Sequence, residues 1–391
     1  MRVLLFTGKG GVGKTTTAAA TAVLAASRGL KTLILSTDPA HSLADAFGVP
    51  IGGEPTLVED GLLALQVDGQ RAFERSWRDV QDYVRGVLER AGVDALQADE
   101  LTVLPGAEEV LALLELRRQA ASGLYDLIVV DCAPTGETLR LLALPEALRW
   151  YVDKVFPAQR RALKAVRPLL SRVATVPEDG VFEAVARLHA ELTDVRDLLT
   201  SPSTSVRLVL TPEAVVVAEA RRTLTSLALY GYRVDGIVAN RVLPTSDDPW
   251  VAGWVSAQTT QLEVVRADTH PLQLLESPYA AGEPVGTWPL LAFAETLYGD
   301  LDPTAVVDTG DLMTVVRDAD GFLLSLALPL ARIEDLDLAR SGDELVITVG
   351  GHRRLLALPS ALRRCDVAGA RLVDGRLVVR FEPDPALWPV P

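Results

Sequence analysis

Cysteine is scarce in this sequence. Cys132 and Cys365 are the 2 cysteines among 391 residues, they lie far apart, and neither belongs to a Cys-x-x-Cys pair. Disulfide frameworks and cysteine-rich zinc cages need several cysteines at short spacing, so one chain cannot assemble either of them from these two residues. The scarcity favours a reducing, cytoplasmic location.

An excess of basic residues and a long apolar run are also missing. The chain has 38 Lys and Arg against 52 Asp and Glu, a net charge of −14 at pH 7. Nucleic-acid binding depends on clustered Lys and Arg, so we expect no nucleic-acid partner. The longest apolar stretches, such as Ala18 to Ala26, fall well below the ~20 residues of a transmembrane helix. The first apolar run is too short for a secretory signal, and we therefore expect a chain that does not span a membrane.

Short apolar runs alternate with helical stretches up to about residue 300. Alternation of this kind is typical of βαβ units, so it predicts an α/β fold with a mostly parallel sheet over residues 1–305. The predicted strands are Val3 to Thr7, Thr32 to Ser36, Asp126 to Val130, Val206 to Leu210 and Gly236 to Ala239, and the clearest helices are Thr15 to Arg28 and Pro212 to Tyr230.

Two inserted stretches, at about 70–121 and 146–200, show helical periodicity without convincing strands and predict a helical subdomain. Between Trp150 and Leu170 apolar residues at helical spacing alternate with basic ones, which indicates either an amphipathic basic face or ordinary packing between helices. After Asp311 short alternating strands follow without helices, and Asp374-Gly375 is a strong hairpin signal. We predict a small all-β sandwich at 315–391.

The strongest motif is a phosphate-binding loop. Residues 8–15 read Gly-Lys-Gly-Gly-Val-Gly-Lys-Thr, which matches G-x-x-x-x-G-K-[ST] between a predicted strand and a predicted helix. In such loops backbone N–H groups approach the phosphates, Lys14 supplies charge to the β- and γ-oxygens, and the Thr15 hydroxyl binds Mg²⁺. We predict ATP and Mg²⁺ as ligands, with contacts from Gly8, Gly10, Gly11, Val12, Gly13, Lys14, Thr15 and Thr16.

Lys9 is a second lysine within this loop. If it points out of the cradle it is able to reach a phosphate bound by another subunit, as an arginine finger does, and such a cation is worth roughly 10³-fold in rate. A solvated loop lysine is the alternative. The first interpretation makes the chain a homodimer and places Lys9 beside Lys14 and Asp38 among the catalytic residues.

Two carboxylates follow predicted strands. Asp131 ends a buried strand and is suited to hold the water shell of Mg²⁺, the Walker B role. Asp38 ends the neighbouring strand, where it would bind Mg²⁺ together with Thr15 and Asp131, partly through water. It would also orient or deprotonate the attacking water, unless it simply caps the next helix. The segments Pro39 to Ser42 and Pro134 to Gly136 would then be switches that the γ-phosphate orders.

These residues together resemble one family. Lys9 marks the deviant Walker A class of SIMIBI-type P-loop NTPases. Residues 36–43, Ser-Thr-Asp-Pro-Ala-His-Ser-Leu, and 131–136, Asp-Cys-Ala-Pro-Thr-Gly, are similar to the ArsA-family ATPases. That family comprises arsenite-pump ATPases and targeting factors for tail-anchored membrane proteins, and the resemblance covers residues 1 to about 300.

The resemblance implies particular roles. Asp38 would orient the attacking water in switch I, and Lys9 would reach across a dimer interface. Asn240 would contact adenine, and its carboxamide is able to pair with a base edge, although an Asn that ends a strand is often a turn residue. A stretch from Pro271 to Leu275 would also wrap the base.

Several features depart from the family pattern. Arsenite pumps use a cysteine triad and two tandem ATPase copies, whereas this chain has one copy and 2 cysteines. Targeting factors of the eukaryotic type hold zinc with a Cys-x-x-Cys after the Asn strand, but residues 247–261 contain no cysteine, so no zinc is expected. Glu137 replaces the usual His of switch II. The chain has 2 methionines, although the client groove of those factors is methionine-rich.

The carboxyl-terminal segment resembles the α-crystallin-like domain of some bacterial and plastid members, and Ser341 to Leu345 and Gly350 to Arg354 carry this resemblance. Any small β-sandwich used for packing is the alternative. The family resemblance implies an ATPase that binds hydrophobic membrane-protein clients and works with a membrane receptor. An ATPase that energises export of an arsenite-like anion through a membrane partner is the second hypothesis. A partition-type polymerising ATPase would need a basic surface or a terminal amphipathic helix, and neither is evident.

Overall fold

An eight-stranded sheet forms the centre of the amino-terminal part of the protein. The computed structural model describes residues 1–38, 42–67, 107–132, 179–270, 272–307, 310–318 and 320–387. The sheet order is β3-β4-β2-β5-β1-β6-β7-β8, and every neighbouring pair is parallel except β3 with β4. The strands are β1 Arg2–Thr7, β2 Thr32–Ser36, β3 Thr56–Glu59, β4 Leu62–Gln66, β5 Leu127–Asp131, β6 Thr204–Leu210, β7 Val234–Val242 and β8 Gln273–Pro278.

Strand β1 shows why the central strands are apolar throughout. All of its residues are buried. Leu4 and Phe6 belong to one hydrophobic cluster, whereas Val3 and Leu5 belong to a second cluster on the opposite face of the sheet. Because successive side chains point to opposite faces, a strand that is covered on both faces needs a continuous apolar run. This arrangement confirms the predicted α/β fold with a mostly parallel sheet.

Helices cover both faces of this sheet. Helix α1 contributes alanines with 0% exposure, including Ala18, Ala19 and Ala22, and their small side chains let its backbone approach the sheet closely. Helices α1 and α7 contribute to one cluster, and α3 and α4 contribute to the other. The helices are α1 Lys14–Ser27, α2 Ser42–Phe47, α3 Ala107–Ala121, α4 Asp179–Thr200, α5 Ala214–Tyr230, α6 Pro249–Thr269 and α7 Thr287–Tyr298.

The two predicted helical inserts are described only in part. Helices α3 and α4 lie within them and agree with the predicted helical character. Residues 68–106 and 133–178 lie outside the described residues, and with them the basic amphipathic stretch from Trp150 to Leu170. Among the helices of the described ranges, none is long and apolar enough to cross a bilayer.

A buried ionic network links three strands of the sheet. Asp235, at the amino end of β7, accepts a hydrogen bond from Arg2 of β1 at 2.9 Å and one from Arg207 of β6 at 3.3 Å. Arg207 also donates to the hydroxyl of Tyr298 at 2.9 Å. All four residues are buried, so one carboxylate compensates two guanidinium groups in a region of low dielectric.

The carboxyl-terminal part is all β and consists of two antiparallel sheets, β14-β15-β10-β9 and β11-β12-β13. Leu324, Ile347 and Phe381 from both sheets share one hydrophobic cluster, as expected of a sandwich. Asp374 and Gly375 have φ values of 48° and 68° between β14 and β15, which confirms the predicted Asp-Gly hairpin. The strands are β9 Met313–Asp318, β10 Gly321–Ala327, β11 Leu336–Ser341, β12 Glu344–Val349, β13 His352–Ala357, β14 Cys365–Val373 and β15 Arg376–Pro383, with a short helix α8 at Ser360–Arg363.

Where the two parts of the chain meet, each contributes a leucine to a hydrophobic cluster of the other. Leu229 of α5 is fully buried within the hydrophobic cluster of the β-sandwich, and Leu330 of the β10–β11 connection packs against a cluster of the first sheet. Arg354 is buried and donates to the Leu229 carbonyl at 2.6 Å, and the Thr225 hydroxyl donates to the Pro329 carbonyl at 2.6 Å. The domain limits of 1–305 and 315–391 stay a prediction.

Candidate active site

The carboxyl ends of three neighbouring strands bring the predicted site residues together. Strand β5 lies between β1 and β2, so the loop after β1, Asp38 after β2 and Asp131 at the end of β5 share one edge of the sheet. In open parallel sheets this edge, at the point where the strand order reverses, is where ligands bind.

Two glycines of the loop are required by its geometry. Gly8 has a φ of 153°, and a Cβ there would lie 2.0 Å from the carbonyl oxygen of Val209 on β6. Gly13 has a φ of 92°, and a Cβ there would lie 2.2 Å from Nδ2 of Asn240 on β7. Any larger residue would therefore clash with an adjacent strand, and the motif glycines let the loop press against β6 and β7.

Lys14 lies inside this loop. It is the first residue of α1, only 6% of it is exposed, and its Nζ donates a hydrogen bond to the carbonyl of Lys9 at 3.2 Å. A helix amino terminus carries a partial positive charge, and the Lys14 ammonium adds a full charge at the same place. The arrangement suits phosphate oxygens.

Thr15, the residue after Lys14, brings its hydroxyl group into contact with the Asp131 carboxylate. The Thr15 hydroxyl donates to Oδ2 of Asp131 at 2.8 Å and lies 3.0 Å from the hydroxyl of Ser42 on α2. Ser36 donates to the same Asp131 oxygen at 3.5 Å. Oδ1 of Asp131 is buried and has no hydrogen-bond partner within the described part of the chain. Hydroxyl and carboxylate oxygens are the donors that Mg²⁺ prefers, so this donor set fits a magnesium ion and its water shell.

Burial dominates the electrostatics of Asp131. Burial raises the pKa of Asp131 to about 7, although the hydrogen bond from Thr15 and the charge of Lys14 favour the ionised form. The charge of Asp38 contributes to this rise. A divalent cation beside these oxygens would lower the pKa again, because it favours the carboxylate.

The backbone of Asp38 is held from two sides. Its N–H donates to the hydroxyl of Ser36 at 3.2 Å, and its carbonyl accepts a hydrogen bond from Nε2 of Gln66 at 2.6 Å. Gln66 is not among the residues predicted from the sequence, although a polar residue at the end of the buried run of β4 is a usable signal. The predicted switch residues Pro39 to His41, Pro134 to Gly136 and Glu137 lie outside the described residues.

Asn240 ties β7 to the glycine loop. Its Nδ2 donates to the Val12 carbonyl at 2.9 Å, and its Oδ1 accepts a hydrogen bond from the N–H of Arg241 at 2.9 Å. Arg241 has a φ of 58°, and the register of β7 with β8 shifts between Ala239 and Val242, so the strand is irregular there. The adenine contact of Asn240 stays a prediction, and Pro271 lies outside the described residues.

Lys9 pairs with a residue of its own chain. Its Nζ lies 3.8 Å from Oε2 of Glu219 on α5, with 40% and 31% of the two side chains exposed. Exposed pairs of this kind contribute roughly 0–1 kcal/mol, so Lys9 is held weakly. Of the remaining predicted contacts, Gly10 and Gly11 are exposed and Thr16 is half-buried on α1.

The comparison with known proteins agrees with this geometry. The family model of the anion-transporting ATPases named ArsA matches residues 1–299. The chain belongs to the ArsA family of ATPases. A second model, the HSP20-like domain found in ArsA proteins, matches residues 319–381, which contain most of the carboxyl-terminal sandwich of this ArsA-family chain.

Similar proteins extend over nearly the whole chain. An uncharacterized protein of Streptomyces coelicolor is 42% identical, and the aligned region spans 100% of this chain and 99% of that protein. A Chlorobaculum tepidum protein named "Putative arsenical pump-driving ATPase" is 37% identical, covering 98% of this chain and 96% of its own. The protein named ATPase get3 of Neurospora crassa is 29% identical over 76% of this chain and 90% of its own length.

Proposed function

We propose that this ArsA-family chain is a nucleotide-switched homodimer that hydrolyses ATP and binds hydrophobic segments of membrane proteins. The observation that carries the proposal is the meeting of Lys14, Thr15, Asp131 and the backbone of Asp38 at one edge of the sheet. These groups would supply a cation for phosphates and oxygens for a magnesium ion, and the Asp38 side chain would add a carboxylate beside the place of hydrolysis.

The glycine loop and Lys14 would bind the triphosphate. Backbone N–H groups at the start of α1 would face the phosphates, which is supported by the position of Lys14 within the loop. Thr15 and Asp131 would hold Mg²⁺, which when bound would neutralise phosphate charge. We expect Lys14→Ala to lose Mg²⁺-dependent ATP binding by calorimetry, whereas Lys31→Ala, an exposed lysine outside the loop, retains it.

Asp38 would orient the attacking water. A positioned carboxylate contributes roughly 10²–10⁴-fold to such a step, so Asp38→Asn should bind ATP normally and hydrolyse it at least 10²-fold more slowly. Retained binding with lost turnover would trap a closed, ATP-loaded dimer, which size-exclusion chromatography detects. Asp45→Asn, which changes an exposed carboxylate on α2, is the matched control. Turnover by Asp38→Asn at the wild-type rate would remove this assignment.

Lys9 would complete the site of the partner subunit. Mixing two inactive variants tests this idea. In a mixed dimer of Lys9→Ala and Asp38→Asn, the site of the Lys9→Ala subunit keeps Asp38 and receives an intact Lys9 from its partner. In an equal mixture, half of the dimers contain one subunit of each variant. Each of these mixed dimers has one complete site of two, so about a quarter of the wild-type rate should return. A mixture that stays inactive would show that Lys9 does not act across the interface.

The hydrophobic client follows from the family resemblance, which includes targeting factors for tail-anchored proteins. The chain has only 2 cysteines, and both are buried, Cys132 directly after β5 and Cys365 in the β-sandwich. A three-cysteine arsenite site is therefore not available within one chain. We expect a transmembrane peptide with a photo-crosslinker to be captured with ATP and released with ADP. Equal capture in both states would contradict a nucleotide-dependent client site.

The second candidate is an ATPase that energises anion export. The name of the matching family, anion-transporting ATPase, and the arsenical-pump name of the Chlorobaculum relative favour it. Stimulation of the ATPase rate by arsenite or antimonite, without an effect of hydrophobic peptides, would support export over client binding. A rate that neither anion changes would support the first candidate.

A further inference from the structure

Gln66 is a buried polar residue beside Asp38. It ends β4, whose register with β2 places Gln66 opposite Ser36. Only 2% of Gln66 is exposed, and its backbone N–H donates to the Gly52 carbonyl at 2.9 Å. The backbone hydrogen bonds thus fix its position in the strand, whereas the direction of its side chain needs a separate explanation.

The orientation of the Gln66 carboxamide follows from its partner. Nε2 lies 2.6 Å from the carbonyl oxygen of Asp38, and a carbonyl oxygen only accepts hydrogen bonds. The opposite orientation would bring two oxygens together, so the amide nitrogen must face Asp38. Oε1 is buried and has no hydrogen-bond partner in the described ranges. The single hydrogen bond that this side chain makes among the described residues therefore goes to Asp38.

Gln66 and Ser36 together hold the Asp38 peptide. Ser36 accepts the hydrogen bond from the Asp38 N–H at 3.2 Å, and Gln66 donates to the Asp38 carbonyl. These two side chains come from the neighbouring parallel strands β2 and β4, and they bind the N–H and the carbonyl of the same residue. Because the backbone conformation fixes the direction of the Cα–Cβ bond, these two hydrogen bonds limit the positions that the Asp38 carboxylate can take.

We propose that Gln66 is a positioning residue for ATP hydrolysis, which acts by holding the Asp38 backbone so that its carboxylate meets the attacking water. The inference rests on the proposed role of Asp38. Misplacement of a reacting group by about 1 Å costs up to roughly 10²-fold in rate. Loss of the Gln66 amide should consequently lower kcat and leave ATP binding, which depends on the glycine loop and Lys14, unchanged.

The decisive variant is Gln66→Met, which keeps the length of the side chain and removes the donor. We expect kcat to fall at least tenfold, with the KM for ATP and the Kd for MgATP changed less than twofold. Gln119→Met is the matched control, because Gln119 on α3 is 6% exposed and its Nε2 makes a hydrogen bond of the same 2.6 Å length, to Glu115. The control should lose as much thermal stability as Gln66→Met and keep its kcat.

A double variant separates positioning from general damage. If Gln66 acts through Asp38, Gln66→Met combined with Asp38→Asn should be no slower than Asp38→Asn alone. Additive losses in the double variant would overturn the inference, and so would an unchanged kcat of Gln66→Met while Asp38→Asn is inactive. The latter result would leave the proposed function standing. Turnover by Asp38→Asn at the wild-type rate would overturn both.

Discussion

The buried carboxylate of Asp131 gives a pH-dependent prediction. Replacing it by Asn keeps the shape and removes the charge. Its pKa in the folded protein is about 7, compared with an ordinary value of 3.8. Because the folded pKa is raised, a protonated Asp131 favours folding, and this contribution is lost as the pH rises from about 4 through about 7. Ionised Asp131 then destabilises the protein without nucleotide.

The size of the effect follows from the same pKa values. Between the two pKa values the unfolded chain ionises while the folded protein keeps its proton, so the free energy of unfolding should be lower than at acidic pH by about 2 kcal/mol at pH 5 and about 4 kcal/mol at pH 8, at about 1.36 kcal/mol per pKa unit. Asp131→Asn does not bear this cost. Without nucleotide, the variant should therefore be more stable than the wild type, and its advantage should grow with pH.

Thermal unfolding between pH 5 and pH 8 measures this difference. We expect the melting temperature of Asp131→Asn to exceed that of the wild type by several degrees at pH 8 and by less at pH 5. Saturating MgATP should reverse the order, since only the wild type has the carboxylate that holds the metal. Asp60→Asn, which changes an exposed carboxylate between β3 and β4, controls for net charge. A variant that melts below the wild type by the same amount at every pH would refute this reasoning.

Two further substitutions test the loop and the ionic network. Gly13→Ala should weaken MgATP binding at least tenfold and destabilise the fold by about 1–3 kcal/mol, since its Cβ meets Asn240 and its φ is strained. Gly253→Ala, in open space within α6, should instead stabilise by up to about 1 kcal/mol, and calorimetry measures both. Asp235→Ala should destabilise by about 3–5 kcal/mol in denaturant unfolding, because two arginines stay buried without their carboxylate. Exposed Asp247→Ala should change stability by less than about 0.5 kcal/mol, and an equal loss in both variants would contradict the role of the network.

Local signals were sufficient for part of the fold and of the site. The glycine loop lies between a fully buried strand and a helix, and Asp131 directly ends an apolar run. The hairpin at Asp374 and Gly375 needs positive φ values, and the Asp-Gly pair is known to favour them. In each case the residues that determine the geometry are neighbours in the sequence, so the pattern predicts the structure directly.

Other features depend on contacts between distant segments. Strand β8 alternates between buried and exposed residues at the sheet edge, and β3 is partly exposed, so neither forms a continuous apolar run and neither is predicted from the sequence. Helices α6 and α7 were not predicted either. The bonds from Gln66 to Asp38 and from Asn240 to Val12 join residues 28 and 228 positions apart. Strand order decides such pairs, and local periodicity does not encode it.

Leu229 and Leu330 each pack against the other part of the chain, and these contacts decide whether the two parts can be separated. Two modules joined by a simple tether would each keep a polar surface where they meet, and either would survive alone. Here a cut between the two parts would expose the apolar side chain of Leu229 to water and remove the hydrogen bond that its carbonyl accepts from Arg354. The sandwich therefore shares apolar contacts with the first part of the chain, and calorimetry of the intact chain should show one melting transition.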